Sequence, residues 1–340
     1  MTEVLDAPVG RFALGPDGEA RVSPAGGLTE QAPSRVVLVR PHQFTPNPQT
    51  AADNSFQQRI LEALLPSAAR ESARQVAAAA YAEVTELGRT LERLGIGVDI
   101  FDDPSTETPD SVFPNNWFST HPDGTVTLYP MYAENRRAER RGDILAHLQE
   151  TCRVRRVVDY SSAERFGEYL EGTGSMVLDH RARLAYACRS RRLSAGLFTE
   201  FCRDFGYAPV LFNATDGEGV PVYHTNVMMS VGTDLALISS EVIRDQAQRE
   251  HVLGVLRDSG RTVVELSESQ VGSFAGNCLE LAGTQGRHLV LSTTAEASLT
   301  AQQRETISAH CALVPVDVST LEAAGGSVRC MIAGNHLPLR

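Results

Sequence analysis

A cysteine at position 330 follows a glycine pair and a serine in the stretch Gly325-Gly326-Ser327-Val328-Arg329-Cys330-Met331-Ile332-Ala333. The small and β-branched residues predict a strand over 328–333, and Gly325 and Gly326 let another backbone or a ligand come close. Cys330 is therefore the candidate nucleophile. His224 offers an imidazole, which in its cationic form favours a nearby thiolate and later returns a proton to a leaving nitrogen. Glu171 offers a carboxylate that orients such an imidazole or holds a substrate N–H. Each also has a plainer reading: strand packing for Cys330, a strand cap for His224, and a phosphate loop for Glu171-Gly172-Thr173-Gly174-Ser175. The loop is disfavoured, because a strand rather than a helix is expected after it and no lysine follows.

Composition narrows the field. The chain has 340 residues and a net charge of -11, which disfavours nucleic acid as a partner, since phosphate backbones are bound by clustered Lys and Arg. Arg136, Arg137, Arg140 and Arg141 cluster but alternate with Glu134, Glu139 and Asp143, as on a solvated helix face. No apolar run approaches the roughly 18 residues of a membrane span, and no basic-then-apolar leader begins the chain. The expected location is the cytoplasm. The six cysteines, at 152, 188, 202, 278, 311 and 330, lie far apart without a C-x-x-C, which speaks against a zinc site or a disulfide scaffold. All but Cys330 read as core.

The elements that must carry these residues repeat. Residues 1–34 mix Gly, Pro and charge and read as a loosely ordered lead-in. Residues 35–340 read as one catalytic domain. It opens with a strand over 35–40, a helix over 72–94 closed by Gly95, and a strand over 97–101. A unit of strand, turn, strand, helix and strand then recurs four times. Its first strands are expected over 116–119, 175–178, 226–231 and 277–281, and its first helix over 136–149. The opening strand and helix, joined to a strand over 328–333, make a fifth unit split across the chain. Five ββαβ units closing head to tail give an α/β propeller; two ordinary α/β domains are the competing arrangement. Under pseudo-rotation, Asn115-Asn116, Glu171, His224-Thr225-Asn226, Asn277 and Cys330 converge on one central pocket.

Five ordered motifs carry a resemblance that spans about residues 35–334: 109–118 (PDSVFPNNWF), 170–175 (LEGTGS), 224–226 (HTN), 276–281 (GNCLEL) and 326–330 (GSVRC). Together they resemble the guanidine-modifying enzyme superfamily, which includes arginine deiminase, dimethylarginine dimethylaminohydrolase and succinylarginine dihydrolase, and within it the citrulline utilisation hydrolases. The resemblance implies a five-bladed α/β propeller (pentein) and no metal or organic cofactor. It implies Cys330 as nucleophile, His224 as general acid/base and Glu171 as the carboxylate holding a substrate nitrogen. Arg191 falls where relatives place an arginine on the substrate carboxylate, Asp110 where they place a substrate-binding acid, and Phe113 where an aromatic lies beside the reacting carbon. Phe113 and Trp117 flank Asn115-Asn116, a stacking surface beside planar amides.

One departure is informative. Where arginine deiminases carry aspartates, this sequence has Asn116 and Asn226. A carboxylate only accepts hydrogen bonds, whereas an amide both donates and accepts. Two amides suit a neutral ureido group, so the expected substrate is the amino acid citrulline, giving ornithine, ammonia and carbon dioxide. A guanidino hydrolase of the deiminase or dihydrolase type and a catalytically silent binding propeller are the alternatives. A homo-oligomer is compatible with the sequence, and residues 42–56, with Asn47, Thr50 and Asn54, are the candidate lid.

Overall fold

The structure is a computed structural model that describes residues 13–14, 20–21, 31–45, 47–51, 54 and 69–340. Most of the expected lead-in, and part of the candidate lid, lie outside the described residues. Five three-stranded sheets share one plan. In each, a short strand pairs antiparallel with a central strand, which pairs in parallel with a third. Four sheets are contiguous in sequence, and their short strands are Phe118–Thr120, Val177–Asp179, Met229–Val231 and Leu279–Gly283. The fifth is assembled from far apart. Arg35–Pro41 pairs in parallel with Gly97–Asp103, and its antiparallel partner is Ala333–Gly334, with Ala333 opposite Val37 and Gly334 opposite Val36. This is the split unit that the repeat pattern requires.

A helix joins the two parallel strands of each sheet: α1 (Ala69–Arg93), α2 (Gly142–Thr151), α3 (Ala195–Phe205), α4 (Gln246–Asp258) and α5 (Ala301–Ser308). Their burial follows helical spacing. In α1, Ala80, Val84, Leu87 and Leu91 are buried against a core that includes Val36 and Leu38, and in α3 Leu197, Phe198, Phe201, Cys202 and Phe205 form the inner stripe. The central strand Leu184–Cys188 is covered on both sides and reads as an apolar run, with all five residues buried. Among the described residues no helix is long and apolar enough to cross a membrane.

The short strands start later than the composition suggested. Each is preceded by a tight helical turn or bend, and in four sheets the turn takes residues expected in the strand. Pro114–Asn116, Gly172–Ser175, Thr225–Val227 and Val328–Met331 are single turns. They are closed locally by Trp117 N–H to Pro114 C=O (3.2 Å), Met176 N–H to Gly172 C=O (3.0 Å), Met228 N–H to Thr225 C=O (3.2 Å) and Met331 N–H to Ser327 C=O (3.3 Å). The strand expected over 328–333 is thus a turn followed by the two residues Ala333–Gly334. The helix expected over 136–149 likewise divides into a 3₁₀ turn, Glu134–Glu139, and α2. All of the turns that replace strand lie where the polar motifs lie.

Candidate active site

The turns bring the sequence-distant residues together. Thr50, Asn54, Asp110, Phe113, Asn116, Arg136, Arg192, Tyr223, His224, Gly325, Gly326 and Cys330 line one pocket. Cys330 sits in its turn because its N–H donates to the Ser327 carbonyl at 2.9 Å, while the preceding N–H of Arg329 donates to Asn277 Oδ1 at 3.0 Å. Two amides face the sulfur: Asn277 Nδ2 at 3.2 Å and Asn226 Nδ2 at 3.4 Å. Asn277 stands in its sheet where Asn226 stands in its own. The motif Gly276-Asn277-Cys278 was the signal for it, although it had been given no role.

His224 and Glu171 form a buried pair, with His224 Nε2 donating to Glu171 Oε2 at 2.8 Å. The other carboxylate oxygen accepts the Tyr132 N–H at 2.9 Å. Burial alone would raise the Glu171 pKa, but Arg192, the His224 hydrogen bond and charge, and Arg136 together hold it well below the ordinary carboxylate range. Burial lowers the His224 pKa, and Glu171 offsets this only in part. His224 is therefore neutral at neutral pH, ready to take up a proton during reaction. The approach of these groups depends on Gly174: a Cβ there would stand 2.9 Å from His224 Nδ1 and clash with the Asn116 amide. At Gly326 a Cβ would fall 2.7 Å from the Phe113 ring. Phe113 thus packs directly on the backbone that precedes the cysteine.

Arg136 is the residue that sequence reasoning missed. Its three neighbours in the basic cluster meet the expectation of a surface face: Arg137 and Arg140 reach Glu164, and Arg141 reaches Asp143. Arg136 instead is only 2% exposed. Its Nε and Nη2 donate to Glu139 at 3.0 and 2.9 Å, and its Nη1 donates to Asn116 Oδ1 at 2.8 Å. It also lies 3.7 Å from carboxylate oxygens of Asp110 and Glu171. Burial works against its charge, but Glu139, Asp110 and Glu171 outweigh that and fix the cation. Asn116 Nδ2 donates to Asn115 Oδ1 at 3.0 Å, so Asn115 acts on its neighbour.

Arg191, expected at a substrate carboxylate, does not reach the pocket. Arg191 is exposed, whereas Arg192 is 2% exposed and reaches the pocket. Its Nη1 is 3.5 Å from Glu171 Oε2, and its guanidinium lies over the Tyr223 ring at 4.8 Å. A tight bend between Ser190 and Leu193, with the Arg192 N–H on Ser190 Oγ at 3.2 Å, sets which of two adjacent arginines turns inward. Asp110 is where it was expected. Its Oδ2 accepts from Asn47 Nδ2 at 2.8 Å and Thr50 Oγ1 at 3.1 Å, while its buried Oδ1 has no hydrogen-bond partner among the described residues. The candidate lid therefore contributes structure: Asn47 and Thr50 brace Asp110, and Asn54 Nδ2 donates to the Gly325 carbonyl at 3.3 Å.

Burial pushes the thiol of Cys188 up to about 11 and those of Cys202, Cys278 and Cys311 up to about 12, so they stay protonated. Among the described residues no group of His, Cys, Asp and Glu is arranged to hold a metal ion.

A family model described as N,N dimethylarginine dimethylhydrolase, eukaryotic, matches residues 40–337. No curated protein sequence matches the chain. Among solved structures, the N-terminal domain of ArgZ, an arginine dihydrolase from the ornithine-ammonia cycle in cyanobacteria, bound to product, superposes with a TM-score of 0.66 at 17% identity, covering 89% of this chain and 99% of that one. AgrE in ternary complex with ornithine and NAD+ gives a TM-score of 0.67 at 14% identity over 90% of this chain. A dimethylarginine dimethylaminohydrolase adduct with 4-chloro-2-hydroxymethylpyridine gives 0.55 at 15% identity, covering 88% of this chain and 98% of that one. The chain spans only 40% of the full-length ArgZ and AgrE chains. At these identities the superpositions show a shared fold.

Proposed function

The chain belongs to the guanidine-modifying pentein superfamily, with dimethylarginine dimethylaminohydrolase and the arginine dihydrolases, and from that premise we propose that it is a cysteine hydrolase of the ureido group of citrulline. The fold reading that goes with this is a closed ring of the five sheets over residues 35–340, acting as one catalytic unit in the cytoplasm.

The observation that carries the substrate is the contact of Arg136 with Asn116. Its Nη1 takes the Asn116 Oδ1 at 2.8 Å and Asn115 takes one Nδ2–H, so what Asn116 has left for a ligand is its second N–H donor. A donor backed by a permanent cation suits a ureido C=O and repels a guanidinium. Around it, Arg192 suits an α-carboxylate through its planar fork, and the unpartnered Asp110 Oδ1 suits an α-ammonium.

In the proposed reaction the Cys330 thiolate attacks the ureido carbon. The resulting oxyanion is held by amide donors from Asn116, Asn226 and Asn277. His224, held through Nε2 by Glu171, takes the Cys330 thiol proton on its other nitrogen as the sulfur attacks and passes that proton to the departing nitrogen; the C–N bond breaks and a thiocarbonyl ester remains on sulfur. The same imidazole then takes a proton from water, which cleaves the ester. Overall, citrulline and one water give ornithine and carbamate, which decomposes to ammonia and carbon dioxide.

The dihydrolase reading, in which arginine is the substrate, is favoured by the likeness to ArgZ and by the carboxylates of Glu171 and Asp110 in the pocket. Ammonia release from citrulline, arginine, methylated arginine and agmatine, measured in parallel, separates the two. Citrulline is expected to exceed arginine at least tenfold in kcat/KM, about 1.4 kcal/mol of discrimination. Ammonia from arginine without turnover of citrulline overturns the assignment.

A further inference from the structure

The short strands enclose a second space that the chemistry above does not use. It is lined by all five sheets, through Phe118–Thr120, Val177, Leu178, Met229–Val231, Leu279, Ala333 and Gly334, and by Gln31, Arg329, His180 and His336. Its volume is about 50 Å³, room for a few water-sized groups. Gln31 ties across it, donating Nε2 to the carbonyls of Leu178 (2.8 Å) and Val231 (3.0 Å) while its Oε1 accepts the His180 N–H at 2.8 Å.

The cavity is electrostatically unbalanced. Among the described residues the Arg329 side chain makes one hydrogen bond, from Nη1 to the Ile332 carbonyl at 3.0 Å, and no carboxylate pairs with it. Enclosure pushes its pKa down to about 10, with only the thiols of Cys330 and Cys278 acting the other way. It remains a cation at neutral pH. Arg329 is partly buried, and a charge withdrawn from solvent is ordinarily paired. The two imidazoles beside it do not supply the missing anion. His180 Nδ1 is engaged by the Tyr207 hydroxyl at 2.8 Å, its ring lies 4.4 Å from that of His336, and Arg329 contributes to holding both below their ordinary pKa. A neutral imidazole can still donate one N–H.

We propose that this cavity binds a small inorganic monoanion, of the size of chloride or bicarbonate, on the Arg329 guanidinium with His180 and His336 as neighbouring donors. The site is distinct from the pocket in front of Cys330 and does not depend on which substrate that pocket takes. Occupancy would be felt by the nucleophile, since Arg329 is its chain neighbour and the two groups interact electrostatically.

The test uses the full chain. Thermal unfolding is followed while gluconate, too large for the cavity, is replaced by chloride, bromide or bicarbonate at constant ionic strength. A saturable rise in Tm is expected for the small anions, because a ligand bound only by the folded state stabilises it by RT ln(1 + [L]/Kd). Arg329→Met is expected to abolish the rise. Crystals grown with bromide are expected to show an anomalous peak within hydrogen-bonding distance of the Arg329 guanidinium, a readout that holds even if Arg329→Met does not fold. A response without saturation, an equal response in Arg329→Met, or bromide only at surface positions, an adventitious ion only, overturns the proposal.

Discussion

The pocket before Cys330 and the cavity behind it each contain arginine, and they treat it in opposite ways. In front, Arg136 is surrounded by acids: it touches Glu139 and lies near Asp110 and Glu171. Behind, Arg329 has a single backbone carbonyl. A cation saturated by its own carboxylates serves as scaffold and sets the orientation of its neighbours. A cation left without them has its capacity for an anion intact. The two regions are within one turn of each other in sequence at Arg329-Cys330, so charge has been compensated on one side of the turn and left open on the other.

The comparison can be broken at several points. Cys330→Ser is expected to lower ammonia release by a thousandfold or more while leaving the fold intact, as removal of a covalent nucleophile does; retention of activity would mean that the front pocket is not the reacting one. Arg136→Met strands Glu139 and should cost about 3–5 kcal/mol in urea unfolding. Glu171→Gln is expected to reduce kcat by about a hundredfold and to shift the pH profile. His224 already has a lowered pKa, and Glu171 is what holds it up against burial and against Arg192 and Arg136. Without that carboxylate the His224 pKa falls further, so the acid limb of kcat/KM moves to lower pH. Asn116→Asp is expected to move kcat/KM about tenfold toward arginine relative to citrulline, roughly 1.4 kcal/mol. Arg329→Met, by contrast with Arg136→Met, gives up one backbone hydrogen bond and should cost only about 1 kcal/mol in buffer free of small anions. Equal losses for the two arginine variants would erase the distinction between front and back.

The sequence carried the repeat and the convergence because both rest on local signals. Gly-rich turns and β-branched runs recur at regular spacing, and the split unit is completed by Ala333–Gly334 against Val36 and Val37 as the spacing required. The turn at Val328–Met331 was hidden because its residues have strand propensity, and a strand of two residues leaves no period to read. Arg191 and Arg192 differ by one place, and the direction of each was set by the bend between Ser190 and Leu193, a tertiary feature. Arg136 looked like its surface neighbours because what singles it out, Asp110 and Glu171, lies 26 and 35 residues away in the chain. Asp110 and Phe113 were placed by motif, and the structure puts both at the pocket.

The sheet that joins Arg35–Pro41 to Ala333–Gly334 also governs when the protein can become competent. Cys330 stands three positions before that junction, so its turn is not anchored until the roughly three hundred residues between the two paired strands have been made and the strands have met. Such a closure has high contact order and is slow to form.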